Sequence, residues 1–189
     1  VRSTGHQWHS VFPGVFHDFR FGWIVQIANE WNSILSNEYF AHIEAAETYT
    51  EAKQSPERFP DTVVYSMLGD HVSIRRTADN ALVTVFEVTS SGQRDFEEQR
   101  AILIQRLNIW TAQRAVIFVV DFFDVLKCER VPKSTSHSIQ IINGNAMVQE
   151  LPVVLDSTQS FIFPLEASYW RAWQHVADPM KKLVESKSE

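Results

Sequence analysis

Two runs in the middle of the chain, ALVTVFEVTS at 81–90 and RAVIFVVDFF at 114–123, are apolar at almost every position. Strands that are hydrophobic on both faces lie inside a sheet covered on both sides. Between them, Phe96, Leu103, Leu107 and Trp110 recur at helical spacing up to about Ala112. Asp95, with Glu98 three residues on, predicts an N-cap and capping-box pair for that helix. A helical crossover between two strands makes them parallel, so strands 81–91 and 115–125 belong to one sheet. This unit excludes an all-helical bundle and a purely antiparallel sandwich.

The flanking segments fill out a mixed fold. Phe16, Phe19, Trp23, Ile27, Trp31 and Ile34, with Ile24, Ala28 and Leu35 beside them, predict a helix over 15–35. YFAHIEAAETYT (39–50), DTVVYSM (61–67) and a half-exposed HVSIRRT (71–77) read as strands, with ADN (78–80) as a turn. After a polar stretch at 127–138, SIQIINGNAMVQEL predicts a hairpin about Asn143-Gly144, and PVVLDSTQSFIFP a second one. Pro164 then opens a helix carrying Leu165, Tyr169 and Trp173, and the last residues read as a frayed tail. The class is α/β, an α+β mixed sheet in one domain over 1–189, with a core at 15–125 and an extension at 126–189.

Composition narrows the function classes. Six Trp and 13 Phe in 189 residues imply a packed core rather than a disordered chain. A net charge of −6 argues against non-specific nucleic-acid binding but leaves room for a local basic rim. One cysteine, Cys128, cannot form an intrachain disulfide and fits a reducing, cytoplasmic setting as a buried thiol. The run AVIFVVDFFDVL is too short to cross a membrane and carries two aspartates. No signal-peptide pattern opens the chain, and Val1 suggests a trimmed start.

Two carboxylates stand out. Asp61 opens a strand directly after Pro60, and Glu87 sits near the end of the central apolar strand. If those strands pair, both reach one sheet edge. A buried carboxylate without a partner costs several kcal/mol, on the order of 2–7 for a polar group and more for a charge. A divalent cation with a taste for oxygen relieves two facing carboxylates, and Mg²⁺ or Mn²⁺ held that way activates water. The plainer alternative is an ion pair with Arg75, Arg76 or Arg94.

These residues carry a family likeness. FPDTVV, TVFEVTSSGQR and AVIFVVDFFDV, with a helix before the last, resemble the PD-(D/E)XK, or restriction-endonuclease-like, superfamily. Its helix, three strands, helix, strand (αβββαβ) order matches residues 15–125. WHSVFPGVFHDFRFGWI, YFAHIEA and PLEASYWRAW are similar to segments of one bacterial family of unknown function assigned to that fold. The resemblance implies Asp61 and Glu87 as metal carboxylates for Mg or Mn, Glu44 as a supporting acid and Glu47 as a weaker substitute. It further implies phosphodiester hydrolysis on nucleic acid. The family's Glu-Val-x-Ser-Pro-x-Asn-Lys signature is altered: Glu87 is followed two positions on by Thr89, the proline falls on Ser91, the asparagine on Gln93 and the lysine on Arg94. A second lysine, in the following helix, falls near Gln105, beside Arg106. Arginine grips a phosphate but does not act as a base. The alternative is therefore a non-catalytic binding or assembly module on the same scaffold, and a homo-oligomer is compatible with it.

Other residues have simpler expectations. His6 and His9 fit a polar N-terminal pair better than a metal site, and His17 and Asp18 a helix start. Asp121 and Asp124 fit strand-end polar roles better than a place beside Glu87. Arg94, Arg100, Arg106 and Arg114 read as a solvated face more readily than as a phosphate rim. Trp23, Trp31, Trp110, Trp170 and Trp173 read as core or interface anchors.

Overall fold

The computed structural model describes residues 8, 13–44, 71–89, 96–123, 125–126 and 139–185. Helix α1 (Pro13–Ile34) leads into strand β1 (Tyr39–Glu44). Strands β2 (His71–Arg76) and β3 (Leu82–Val88), helix α2 (Phe96–Ala112) and strand β4 (Val116–Asp121) follow. Then come β5 (Ile139–Asn143), a 3₁₀ turn (Gly144–Ala146), β6 (Leu151–Val154), β7 (Ser160–Phe163), α3 (Leu165–Gln174) and α4 (Asp178–Glu185).

The main sheet runs β1-β2-β3-β4-β5, antiparallel through β3 and parallel from β3 to β5. The mixed sheet and the parallel β3/β4 crossover are as the apolar runs require. Strand alternation puts Phe86 and Glu87 on opposite faces of β3. Phe86 meets Trp23 and Trp31 of α1, with ring centroids 5.8 and 6.0 Å apart. Glu87 meets α2. The two helices therefore cover opposite faces of the sheet.

Helix α1 is packed on its far side as well. Phe163 at the end of β7 lies 5.7 Å from Trp31, and Tyr169 of α3 lies 4.9 Å from Phe19. Trp8 donates from its indole to the Tyr169 hydroxyl at 3.1 Å, and Trp23 to Ser168 at 3.3 Å. The apolar stripe of α1 is buried from Phe16 to Trp31, whereas Ile34, expected with it, is 52% exposed on the last turn. The other expected core tryptophans, Trp110 and Trp173, are buried, and Trp170 is half-buried.

Two expectations are corrected. Strand β2 is buried from His71 to Ile74, not half-exposed, because it lies between β1 and β3 with a helix layer on each face. The segment 138–151 is not a hairpin: β5 pairs parallel with β4 alone. The common two-residue hairpin turn needs positive φ at both central residues, and Asn143 has φ −68°. Instead, Asn143 accepts a hydrogen bond from the Asn145 amide at 2.8 Å and starts the 3₁₀ turn. Gly144 there lies so close to the Phe122 ring that a Cβ would sit 2.3 Å from Cδ1. Helix α4 falls on a stretch for which the sequence predicted no element, and the frayed tail expected over ESKSE lies, past Glu185, outside the described residues. The β6/β7 hairpin and α3 fall where expected. The expected strand at 61–67 and the Asp95 N-cap lie outside the described residues, as does the end of the strand expected at 39–50. Among the described residues, no helix is long and apolar enough to cross a membrane.

Candidate functional site

The third and central strand brings Glu87 into the interior, 3% exposed. A carboxylate there needs countercharge and hydrogen bonds. Both come from helices. Arg106 of α2 donates from Nη2 to Glu87 Oε2 at 2.7 Å. Arg20 of α1, itself 1% exposed, donates from Nε to the Val88 carbonyl at 2.8 Å and places Nη2 3.9 Å from Glu87 Oε1. The expected partners Arg75 and Arg76 pair elsewhere: Arg75 with Glu44 and Arg76 with Asp79 at 3.4 Å. Arg94 lies outside the described residues.

Arg106 is held from two further directions. Its Nη2 lies 2.8 Å from His71 Nδ1, and its guanidinium stands 4.8 Å from the centre of the Trp110 ring, one helical turn on. Guanidinium has only donors, so Nδ1 accepts and the imidazole proton sits on Nε2. Burial first, and then the Arg106 charge, push the His71 imidazole down to about 3, so the ring is neutral. The ring also packs on Trp110, with centroids 4.8 Å apart.

The network continues to Glu44, the cross-strand neighbour of His71. Glu44 Oε2 lies 3.7 Å from His71 Nε2, which has no hydrogen-bond partner among the described residues. Glu44 Oε1 accepts from the Ser73 hydroxyl and from Arg75 Nε, the latter at 2.7 Å. Burial alone raises the Glu44 carboxyl, but the Arg75 and Ser73 hydrogen bonds outweigh it and hold the group below its ordinary range. Glu44 and Glu87 thus belong to one connected chain of polar groups across β1, β2, β3 and α2.

Asp61, Glu47, Asp124, His6, His9 and Arg94 lie outside the described residues. Asp121 does not join Glu87. Its Oδ1 accepts from Thr89 Oγ1 and from the amides of Phe123 and Val125, each at 3.1 Å, and its Oδ2 from the Leu126 amide at 3.0 Å. It ties off the end of β4. Asp18 is exposed and His17 half-buried on α1. The basic series is not a solvated face throughout, because Arg100 is only 8% exposed and Arg106 turns inward.

Arg20 and His71 were not singled out in the sequence, although each carried a signal. Arg20 falls four residues after Phe16 and three before Trp23, on the buried stripe of α1. His71 opens a strand in which the apolar Val72 and Ile74 follow on the opposite face.

The charge balance bears on the implied metal. Among the described residues, two carboxylates, Glu44 and Glu87, face three guanidiniums, Arg20, Arg75 and Arg106, with His71 neutral. Two unit charges 4 Å apart interact by about 4 kcal/mol at an effective dielectric of about 20, and a divalent ion doubles that. A cation placed on Glu87 would meet that repulsion from Arg106. Among the described residues, no three His, Cys, Asp or Glu side chains group to hold a metal. The described residues therefore do not fit a divalent cation while Arg106 is in place. Searches against protein-family models, curated proteins and solved structures find no match to this chain.

Proposed function

We propose that the chain is a non-catalytic binding and assembly module on a restriction-endonuclease-like scaffold. The observation that carries this reading is the 2.7 Å contact of Arg106 with Glu87. It puts a permanent monovalent cation against the carboxylate that the resemblance implies as a metal ligand. The helix, three strands, helix, strand order of α1 to β4 supports the scaffold part of the reading. The net charge of −6 favours a protein partner, a second copy of this chain included, over nucleic acid. The lone cysteine supports a cytoplasmic setting.

A second reading, a Mg- or Mn-dependent nuclease, is favoured by one specific observation: Glu87 and Glu44 lie in a single polar network on neighbouring strands. In that reading Asp61 and Glu87 hold the metal, Glu44 assists and Arg94 contacts the phosphate. Calorimetric titration of Mn²⁺ into the protein, with Asp61→Asn as control, separates the two. DNA and RNA cleavage is followed in parallel. The module reading expects neither Mn²⁺ uptake nor cleavage. Uptake abolished by Asp61→Asn, together with cleavage abolished by Glu87→Gln, would replace it with the nuclease reading.

A further inference from the structure

We infer that the outer edge of β5 is a self-association surface: a second copy of this chain docks there, strand against antiparallel strand, and joins the two five-stranded sheets into one. The inference rests on the module reading and names its partner.

The two edges of the main sheet, β1 and β5, differ in what meets them. On β1, the side-chain amide of Asn32 on α1 stands in for a neighbouring strand. Its Nδ2 donates to the Ala41 carbonyl at 2.9 Å, and its Oδ1 accepts from the Ala41 amide at 2.8 Å. An edge whose backbone groups are already bonded at its middle does not recruit another chain. On β5 (Ile139–Asn143), alternate residues turn N–H and C=O away from β4, and among the described residues no group bonds them on that side. The usual guards of an edge are missing as well. The strand has no proline, no lysine, no other charge and no bulge.

Such an edge takes an extended strand, and the composition around it selects a second copy. From Ile139 to Gln149 the chain carries no charged residue, while its net charge is −6. Two copies of an acidic chain repel over most of their surface and escape that repulsion along this stretch. A charged peptide finds no countercharge on the strand. Turned antiparallel about a two-fold axis through Ile141, β5 sets Ile141 against its own copy, Gln140 against Ile142 and Ile139 against Asn143. No like charges face each other in that register, and both strands offer the same row of backbone groups. Ile141 is paired with Val119, so it lies on the α2 face, where it is 44% exposed, whereas Ile142 on the α1 face is buried. The pairing covers the isoleucine that the fold leaves bare. With β1 closed by Asn32, assembly stops at two copies.

The test is the oligomeric state of the purified chain, read by sedimentation and light scattering from about 1 to 200 µM, the range of a small interface. Wild type, Ile141→Lys and Ile162→Lys are compared. Ile162, 58% exposed on the β6/β7 hairpin, controls for a dimer held by exposed apolar surface elsewhere. Wild type is expected to pass from monomer to dimer. Ile141→Lys sets two ammonium groups against each other on the axis and should need at least about tenfold higher concentration to pair. Ile162→Lys should match wild type. Ile141→Cys decides the matter if the lysine variant fails to fold: a thiol on the axis should link two chains under mild oxidant, which wild type with Cys128 alone should not do. A wild type that stays monomeric overturns the inference. So does a dimer that folded Ile141→Lys forms as readily as wild type, a dimer lost in Ile162→Lys alone, or an Ile141→Cys chain that links no faster than wild type. The two readings fail separately. A wild-type dimer that takes up Mn²⁺ and cleaves nucleic acid sinks the module reading and leaves the dimer standing. An inert wild type that stays monomeric sinks this inference alone.

Discussion

Glu87 and His71 are bound to one nitrogen, Nη2 of Arg106, at 2.7 and 2.8 Å. A carboxylate and a neutral ring on neighbouring strands are thus tied together by a helix that crosses neither of them.

Removing the charge of Glu87 should cost more than removing the pair. Glu87→Gln leaves the buried Arg20 and the half-buried Arg106 facing an amide, and losing one partner of a buried ion pair costs about 3–5 kcal/mol. In Glu87→Gln/Arg106→Gln the strandings partly cancel. Urea unfolding should show the double variant more stable than the sum of the two single losses, by about 1 kcal/mol or more.

Stability should fall as the pH drops below the ordinary range of histidine. The folded ring of His71 titrates at about 3, against 6.5 for an ordinary histidine. Between those values the unfolded chain binds a proton that the folded chain refuses. The His71 contribution is complete above pH 6.5 and is lost as the pH falls towards 3. Glu44, held below its ordinary 4.5, adds a loss of its own only under that pH. From pH 6.5 to 4.5 the decline should be about 2 kcal/mol. Urea midpoints measured across that interval should be flatter in His71→Phe by most of that amount.

Asp121→Ala should be among the most damaging polar substitutions. It strips the acceptor from three backbone amides and from the Thr89 hydroxyl at the end of β4. Each buried donor left without an acceptor costs about 1–3 kcal/mol. A total loss of about 3 kcal/mol or more is expected in chemical denaturation. Faster amide exchange at Phe123, Val125 and Leu126 would locate it.

Gly144→Ala tests the turn that replaced the expected hairpin. The new methyl would overlap the Phe122 ring, whose Cδ1, Cγ and Cε1 all lie within 2.6 Å of the added carbon. Overpacking of this kind costs about 1–3 kcal/mol. In a Phe122→Leu background the additional loss should shrink, because the ring that meets the methyl is gone. Thermal unfolding of the four proteins in that cycle checks it.

The elements legible in the sequence are those whose burial writes a period into the chain. The stripe from Phe16 to Trp31, the apolar run through Val85 and Phe86, and the helix joining it to β4 all left such a record. Asn143-Gly144 misled because its dipeptide fits a hairpin turn, whereas the deciding contact is with Phe122, more than twenty positions away. The site was half legible for the same reason. Glu87 announced itself as a charge in an apolar strand, and Glu44 came through the family likeness. Which arginine answers Glu87 depends on helix placement: Arg75 and Arg76 are close in sequence, but Arg106 and Arg20 arrive from opposite layers. His71 looked like one polar residue in an alternating strand and proved to be the hinge of the charge network.

The hydrogen bond between Trp8 and Tyr169 joins residues 161 positions apart, with α1 between the sheet and α3. On a ribosome, α1 emerges before the strands and α3, so its aromatic stripe waits for partners that are made well after it. The sheet can cover one side once β3 exists, but Phe19 and Trp23 keep an open flank until Ser168 and Tyr169 have left the exit tunnel. Long-range closure of this kind is slow and leaves sticky intermediates. Shielding that nascent aromatic flank, by lower temperature or an added nascent-chain chaperone, should therefore raise the soluble yield of this chain.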